Sequence, residues 1–181
     1  MLNGVSMGKI EHSLVQKIVL DAGPIIHLEE IGRLNLLSDF KDILVPEVVW
    51  EEIEYHRPLA LQIKSVPFRK IKVSSEIRNN VNIIGTAFNL DKGEKEAISL
   101  CIQHKGSILL TDDAAARLAA NSINIRAYGT IGILLRAIRR NMLKPIEVIG
   151  SLEQIPITSS LFIKKNLLNE IIENVRKEYS L

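Results

Sequence analysis

A chain of 181 residues with 46% apolar content and a mean hydropathy of +0.14 can bury one sizeable core, which excludes a disordered polymer. The 23 basic and 21 acidic residues leave a net charge of +2, so composition neither advertises nor excludes a nucleic-acid partner. Cys101 is the single cysteine, which rules out an intramolecular disulfide framework and suits a reducing cytoplasm, and no apolar run approaches the ~18–20 residues of a membrane span.

In chain order, the opening "MLNGVSMGKIEHSLVQ" lacks a continuous apolar core and is expected to be a flexible arm over 1–16. "KIVL" (17–20) is β-branched and ends at Asp21; Gly23 and Pro24 then give a turn and a first helical turn, followed by "IIHLEEIGRLNLL". "DILV" (42–45) predicts a second strand and Pro46 opens the helix "PEVVWEEIEY". Pro58, Pro67 and scattered Lys and Arg predict loops or short helices over 57–75. "LDKGEKEAISLCIQHK" (90–105) predicts a helix, "SILLT" (107–111) a third strand, "AAARLAAN" a short helix and "INIRAY" (123–128) a fourth strand. The segments "GTIGILLRAIRRNML" (129–143) and "IEVIGSLEQI" follow. In the tail, Leu161, Leu168, Ile171, Ile172 and Val175 recur at helical spacing, predicting a C-terminal helix over 157–181 that packs on the domain or on a second subunit. Short oily strands alternating with helices predict a three-layer α/β/α sandwich around a mostly parallel sheet of four to five strands.

Ligands of open α/β sheets bind outside the carboxyl ends of the strands. Asp21 directly follows the first strand, and Asp112 and Asp113 directly follow the third. Helices that follow strands begin at the same edge, so Glu51 and Glu52, and Glu94 and Glu96, can reach the same crevice. Glu94 shares a helical face with Ala97, Ile98 and Cys101, which points it inward. Gathering such carboxylates is unfavourable without a partner, and a hard divalent cation, Mg²⁺ or Mn²⁺, would remove the penalty. Zinc is excluded by the lack of a spaced Cys/His set. Taken singly, each acid is as readily a cap, a dipole partner or a solvated face.

"VLDAGPIIHL", "VPEVVWEEI", "LDKGEKEAISL", "LLTDDAAAR" and "YGTIGIL", in this order, resemble the PIN-domain family of metal-dependent ribonucleases. They are similar above all to a prokaryotic branch marked by a Gly-Glu-x-Glu-Ala helix. The resemblance implies a PIN-like nuclease domain over 17–156, with catalytic acids at Asp21, Glu52, Glu94 and Asp113 and metal on Asp21, Glu94 and Asp113. Glu51 is the lesser candidate beside Glu52. Asp112, Glu96 and Thr130 are expected in support, with Glu96 a rival of Glu94. Water attack on an RNA phosphodiester, leaving a 5′-phosphate, is the implied chemistry. A small antitoxin and a homodimeric partner are implied by relatives that act as toxins.

For the RNA backbone, Arg136, Arg139 and Arg140, with Lys144, form one basic cluster, and Lys64, Arg69, Lys70 and Lys72 another; both are equally readable as solvated faces. Aromatic residues, at 4%, are too few for an extensive stacking surface. His27 and Cys101 read as structural, and Trp50 as core or interface. Two other functions compete: a PIN-like binding module without turnover, and a receiver-type phospho-acceptor domain. The receiver would need its acid pair after the first strand, where Asp21 stands alone.

Overall fold

A computed structural model describes residues 17–181; the arm expected over 1–16 lies outside them. Strands β1 (Lys17–Leu20), β2 (Asp42–Pro46), β3 (Phe68–Ile71), β4 (Ile108–Leu110) and β5 (Ala127–Tyr128) form a wholly parallel sheet in the order β3-β2-β1-β4-β5. It is flanked by α1 (Ala22–Glu30), α2 (Glu47–His56), α3 (Ser75–Ala87), α4 (Lys92–Gln103), α5 (Ala114–Ser122), α6 (Thr130–Arg139), α7 (Pro145–Thr158) and α8 (Lys165–Glu178). The predicted three-layer α/β/α sandwich is therefore present, with five strands.

Alternation along the strands divides the interior into two cores. Ile18, Leu20, Ile43, Val45, Ile108 and Leu110 pack with residues of α1, α2, α6, α7 and α8. Val19, Leu44 and Leu109 face the other way, onto α3, α4 and α5. Because both faces are covered, β1 reads as unbroken apolar sequence; burying each of its Ile, Val and Leu side chains contributes roughly 1.5–3 kcal/mol. A slip of one residue would exchange the two sets of contacts.

Three elements depart from the sequence expectations. Residues 57–75 hold a short 3-10 turn (Pro58–Gln62) and then β3, paired Ile43↔Phe68 and Leu44↔Arg69. An edge strand with exposed Arg69 and Lys70 carries no oily run, because charge is what protects an open edge from pairing. α3 has no counterpart among the expectations; the Ser74 hydroxyl caps it by accepting from Ile77 N–H at 3.4 Å. The strand expected over 123–128 shrinks to two residues because Asn124, at φ 61°, turns the chain back. Ile125 N–H then closes the end of α5 on Ala120 O at 2.9 Å.

The tail forms α8, with Leu161 in the extended segment before it. Leu168, Ile172 and Val175 join the same core as Ile18, so α8 packs on its own chain. Among the described residues, no helix is long and apolar enough to cross a membrane.

From β1 the chain steps outward through β2 and β3, then returns to the other side of β1 as β4. The reversal makes a crevice between the carboxyl ends of β1 and β4, the place where such sheets hold ligands.

Candidate active site

Asp21 and Thr111 meet across this crevice. Asp21 N–H extends the β1–β4 ladder onto Leu110 O (3.0 Å), while the fully buried Thr111 hydroxyl donates to Asp21 Oδ2 (2.8 Å). The same hydroxyl accepts from Asp113 N–H (3.2 Å), so one side chain orients both strand-end acids. Asp21 is 9% exposed. Burial pushes its carboxyl up to about 6, Thr111 and Ala22 N–H pull it back, and the charges of Asp91 and Glu52 push it further.

α4 brings the next acids. Asp91 Oδ1 accepts from Glu94 N–H and Glu94 Oε2 from Asp91 N–H, both at 2.8 Å, a reciprocal cap that starts the helix at Lys92. The Glu94 carboxyl is pushed up to about 7, first by burial; Asp91 N–H opposes this, and the charges of Asp91, Asp113 and Asp21 add to it. Between these acids stands Gly93. A Cβ there would lie 3.4 Å from Asp91 Oδ1 and 3.6 Å from Asp21 Oδ1, so the two carboxylates approach one point. Glu52, exposed on α2, is also raised, by partial burial and then by Asp91, with His56 opposing. Asp21, Glu52 and Glu94 are thus each raised in part by neighbouring carboxylates, Asp91 and Asp113 among them, with no basic partner among the groups that shift them except His56.

Asp112 is built differently from its neighbour. Its Oδ1 accepts from Thr130 N–H (2.7 Å), and its Oδ2 from the Thr130 hydroxyl (2.6 Å) and His27 Nδ1–H (2.7 Å). Gly129 is required beside it, because a Cβ there would collide with Asp112 Oδ1. Arg117 donates to the carbonyls of Thr111 (3.2 Å) and Asp112 (2.9 Å), pinning the turn from outside. Asp113 caps α5 through Ala116 N–H at 2.7 Å and remains exposed.

A family model described as a PIN domain matches residues 17–177. The chain belongs to the PIN-domain family. PIN domains are generally nucleases acting on phosphodiester bonds and typically use divalent metals. Comparison with curated proteins and with solved structures finds no significant match.

In this PIN domain, Asp21, Glu52, Glu94 and Asp113, with Asp112 and Thr130 beside them, lie at the carboxyl edge of the sheet, whereas Glu96, Glu51 and the α6 arginines turn elsewhere. Glu96 is 3% exposed and turned to α3, where both its oxygens hold the Arg78 guanidinium. Glu51 faces β3, 3.7 Å from Lys70 Nζ. Arg136 and Arg140, expected at the RNA backbone, are engaged within the fold. Both pair with Asp39, Arg136 at 2.5 Å and Arg140 through a two-toothed contact at 3.0–3.2 Å, and Arg136 also covers the Phe40 ring. α6 begins at the acidic edge and runs back along the sheet, so its last turn, with Arg139, lies at the amino edge, beside the entry to β2. A helix of 10 residues is roughly 15 Å long at 1.5 Å per residue, which separates these cations from the acids.

Sequence reasoning missed Asp91, Thr111 and the His27–Asp112 contact. Asp-x-x-Glu at 91–94 is itself a capping-box pattern, and it marks the helix start two residues after the point assumed. The other two carry no local signal: Thr111 and Asp21 are 90 residues apart.

Among the described residues, no group of three His, Cys, Asp or Glu side chains is arranged to hold a metal ion, so the expected Asp21–Glu94–Asp113 set is not a preassembled cage. Magnesium does not need one, since it keeps several waters and is held through one or two carboxylates plus substrate phosphate. An all-oxygen group whose buried members repel one another fits that mode. It does not fit zinc.

Proposed function

We propose that this PIN domain is a Mg²⁺- or Mn²⁺-dependent endoribonuclease. The observation that carries the reading is Asp21, held at 2.8 Å by a buried hydroxyl, within Coulomb range of Glu94, both raised in pKa by burial and by neighbouring carboxylates. Burying acids with no basic partner opposes folding, and a divalent cation offsets that cost.

In this reading Asp21, Glu94 and Asp113 would hold the cation. The cation would supply an acidified water and would offset charge developing on the phosphodiester oxygens. Thr111 keeps Asp21 and Asp113 in register. Asp91 keeps Glu94 turned inward by capping its helix, and Glu52 takes a solvent-side place next to Asp91. Asp112 acts through structure: with Thr130 and His27 it locks the β4 and β5 ends that carry Asp113.

Incubation with a mixed RNA pool, with and without Mn²⁺, followed by mapping of the new ends, tests the reading. Metal-dependent internal cuts bearing 5′-phosphates are expected in the wild type and strongly reduced in Asp21→Asn; cutting that persists undiminished with metal chelated, or in Asp21→Asn, overturns it. Cytoplasmic toxin activity, restraint by a small antitoxin and homodimer formation extend the proposal by family likeness. Co-purification with the product of the adjoining gene checks the antitoxin, and light scattering checks the dimer.

A further inference from the structure

A polyanion approaching five carboxylates is repelled unless cations flank them, and the arginines at the end of α6 lie at the wrong edge and are spent on Asp39. Cations do flank them on the other side of the first turn of α4. Arg78 and Asn82 of α3, Lys92 and Lys95 of α4, and Val48 of α2 surround a cavity of about 230 Å³, with Glu96 in its wall. We infer that this cavity holds a phosphate of the RNA strand next to the scissile position, gripped by Lys92, Lys95 and Arg78. The inference rests on the nuclease reading and gives its site a substrate-positioning half.

Three features support it. Arg78 is oriented by a carboxylate that is itself almost wholly buried: Glu96 takes Nε and Nη2, which leaves Nη1 without a hydrogen-bond partner among the described residues. Such a two-toothed grip fixes the guanidinium plane and presents its remaining edge. Lys95 is also held in place, since its methylenes lie across Gly85 of α3, where any Cβ would collide with them. Finally, Lys92 and Lys95 stand in the first turn of α4, where the helix dipole disfavours positive charge. Among the described residues neither ammonium has an ion-pair partner to offset this. Glu47, at the start of α2, lies within Coulomb range of Arg78, so the positive surplus comes from the two lysines. The cavity and the carboxylates share one helix turn: Lys92 follows Asp91, and Glu94 lies between the lysines. A strand crossing that turn would put one phosphate on the cations and its neighbour at the acids.

The test is binding of a fluorescently labelled single-stranded oligoribonucleotide, with metal chelated, across a salt series. Lys92→Ala/Lys95→Ala should weaken binding about tenfold or more. It should also flatten the plot of log affinity against log salt by roughly 1.4, because each lost single-strand contact removes about 0.7. In cleavage assays the same variant should raise KM and leave kcat near wild type. Arg139→Ala, at the far edge, should change none of these. Unchanged affinity and salt slope in the double lysine variant, or an equal loss in Arg139→Ala, overturns the phosphate site. Because binding is read without metal, a protein that binds through the lysines yet never cuts would reject the nuclease reading alone.

Discussion

Asp39 and Asp21 lie at opposite ends of the same sheet and meet opposite treatment. At the amino edge, burial raises Asp39, but hydrogen bonds and charge from Arg140 and Arg136 outweigh it and hold the carboxyl below its usual value. At the carboxyl edge Asp21 has one hydroxyl and one backbone N–H for support, and further carboxylates around it, so burial prevails. The amino edge is arranged to be stable alone; the carboxyl edge is arranged to be completed by something positive. Asp112 and Asp113 repeat the contrast within one dipeptide, since Asp112 is saturated by Thr130 and His27 while the Asp113 carboxylate accepts one bond, from Ala116 N–H, as a helix cap and stays exposed.

The sharpest way to break this comparison is Asp21→Asn. Metal-dependent RNA cleavage should fall by on the order of 10²–10³-fold, matching the several kcal/mol that a bound cation supplies. Undiminished cleavage would make the carboxyl edge merely structural.

Next in size is a pH effect on stability. Asp21 at about 6 and Glu94 at about 7 both lie above their ordinary values of 3.8 and 4.5. Between those values the folded chain keeps protons that the unfolded chain has released, so metal-free stability falls as pH rises from about 4 to about 7 and then levels off. Raising Asp21 from 3.8 to about 6 corresponds to about 3 kcal/mol over the whole interval. Urea unfolding in chelator at pH 5 and pH 7.5 should show the fall, Asp21→Asn should remove much of it, and Mg²⁺ should reverse it; stability that rises over this interval would contradict the assignment.

Thr111→Val keeps the shape and deletes the hydroxyl shared by Asp21 and Asp113. Cleavage should drop about 10–100-fold, as for other loss of support behind a metal ligand, with the fold intact by circular dichroism. At the other edge, Asp39→Ala should cost about 1–2 kcal/mol, discounted because Arg136 and Arg140 are partly exposed. Its cleavage rate per folded molecule should match wild type, and a large loss there would show that the two edges are not independent.

Much of the frame was legible in the chain itself. Oily runs such as "KIVL" and "SILLT" announce strands covered on both faces, and acids at their ends announce the ligand edge, because strand direction and helix crossover leave few alternatives. β3 and α3 were hidden: one is an edge strand kept open by charge, the other a polar helix with few buried positions. The charges of Glu96, Arg136 and Arg140 were visible as residues but not as partners, since those depend on which helix lies across the sheet and which end of it is reached.

The order of residues alone thus determined the layers, the parallel sheet and the edge where acids gather, since each follows from periodicity and from what precedes a turn. Tertiary structure decided which carboxylates are neutralised and which are left facing one another. That distinction rests on distances of about 3 Å between residues as far as 101 positions apart, Arg140 with Asp39 and Thr111 with Asp21 among them. No local pattern encodes such contacts; the one between Thr111 and Asp21 exists only once β1 and β4 lie side by side.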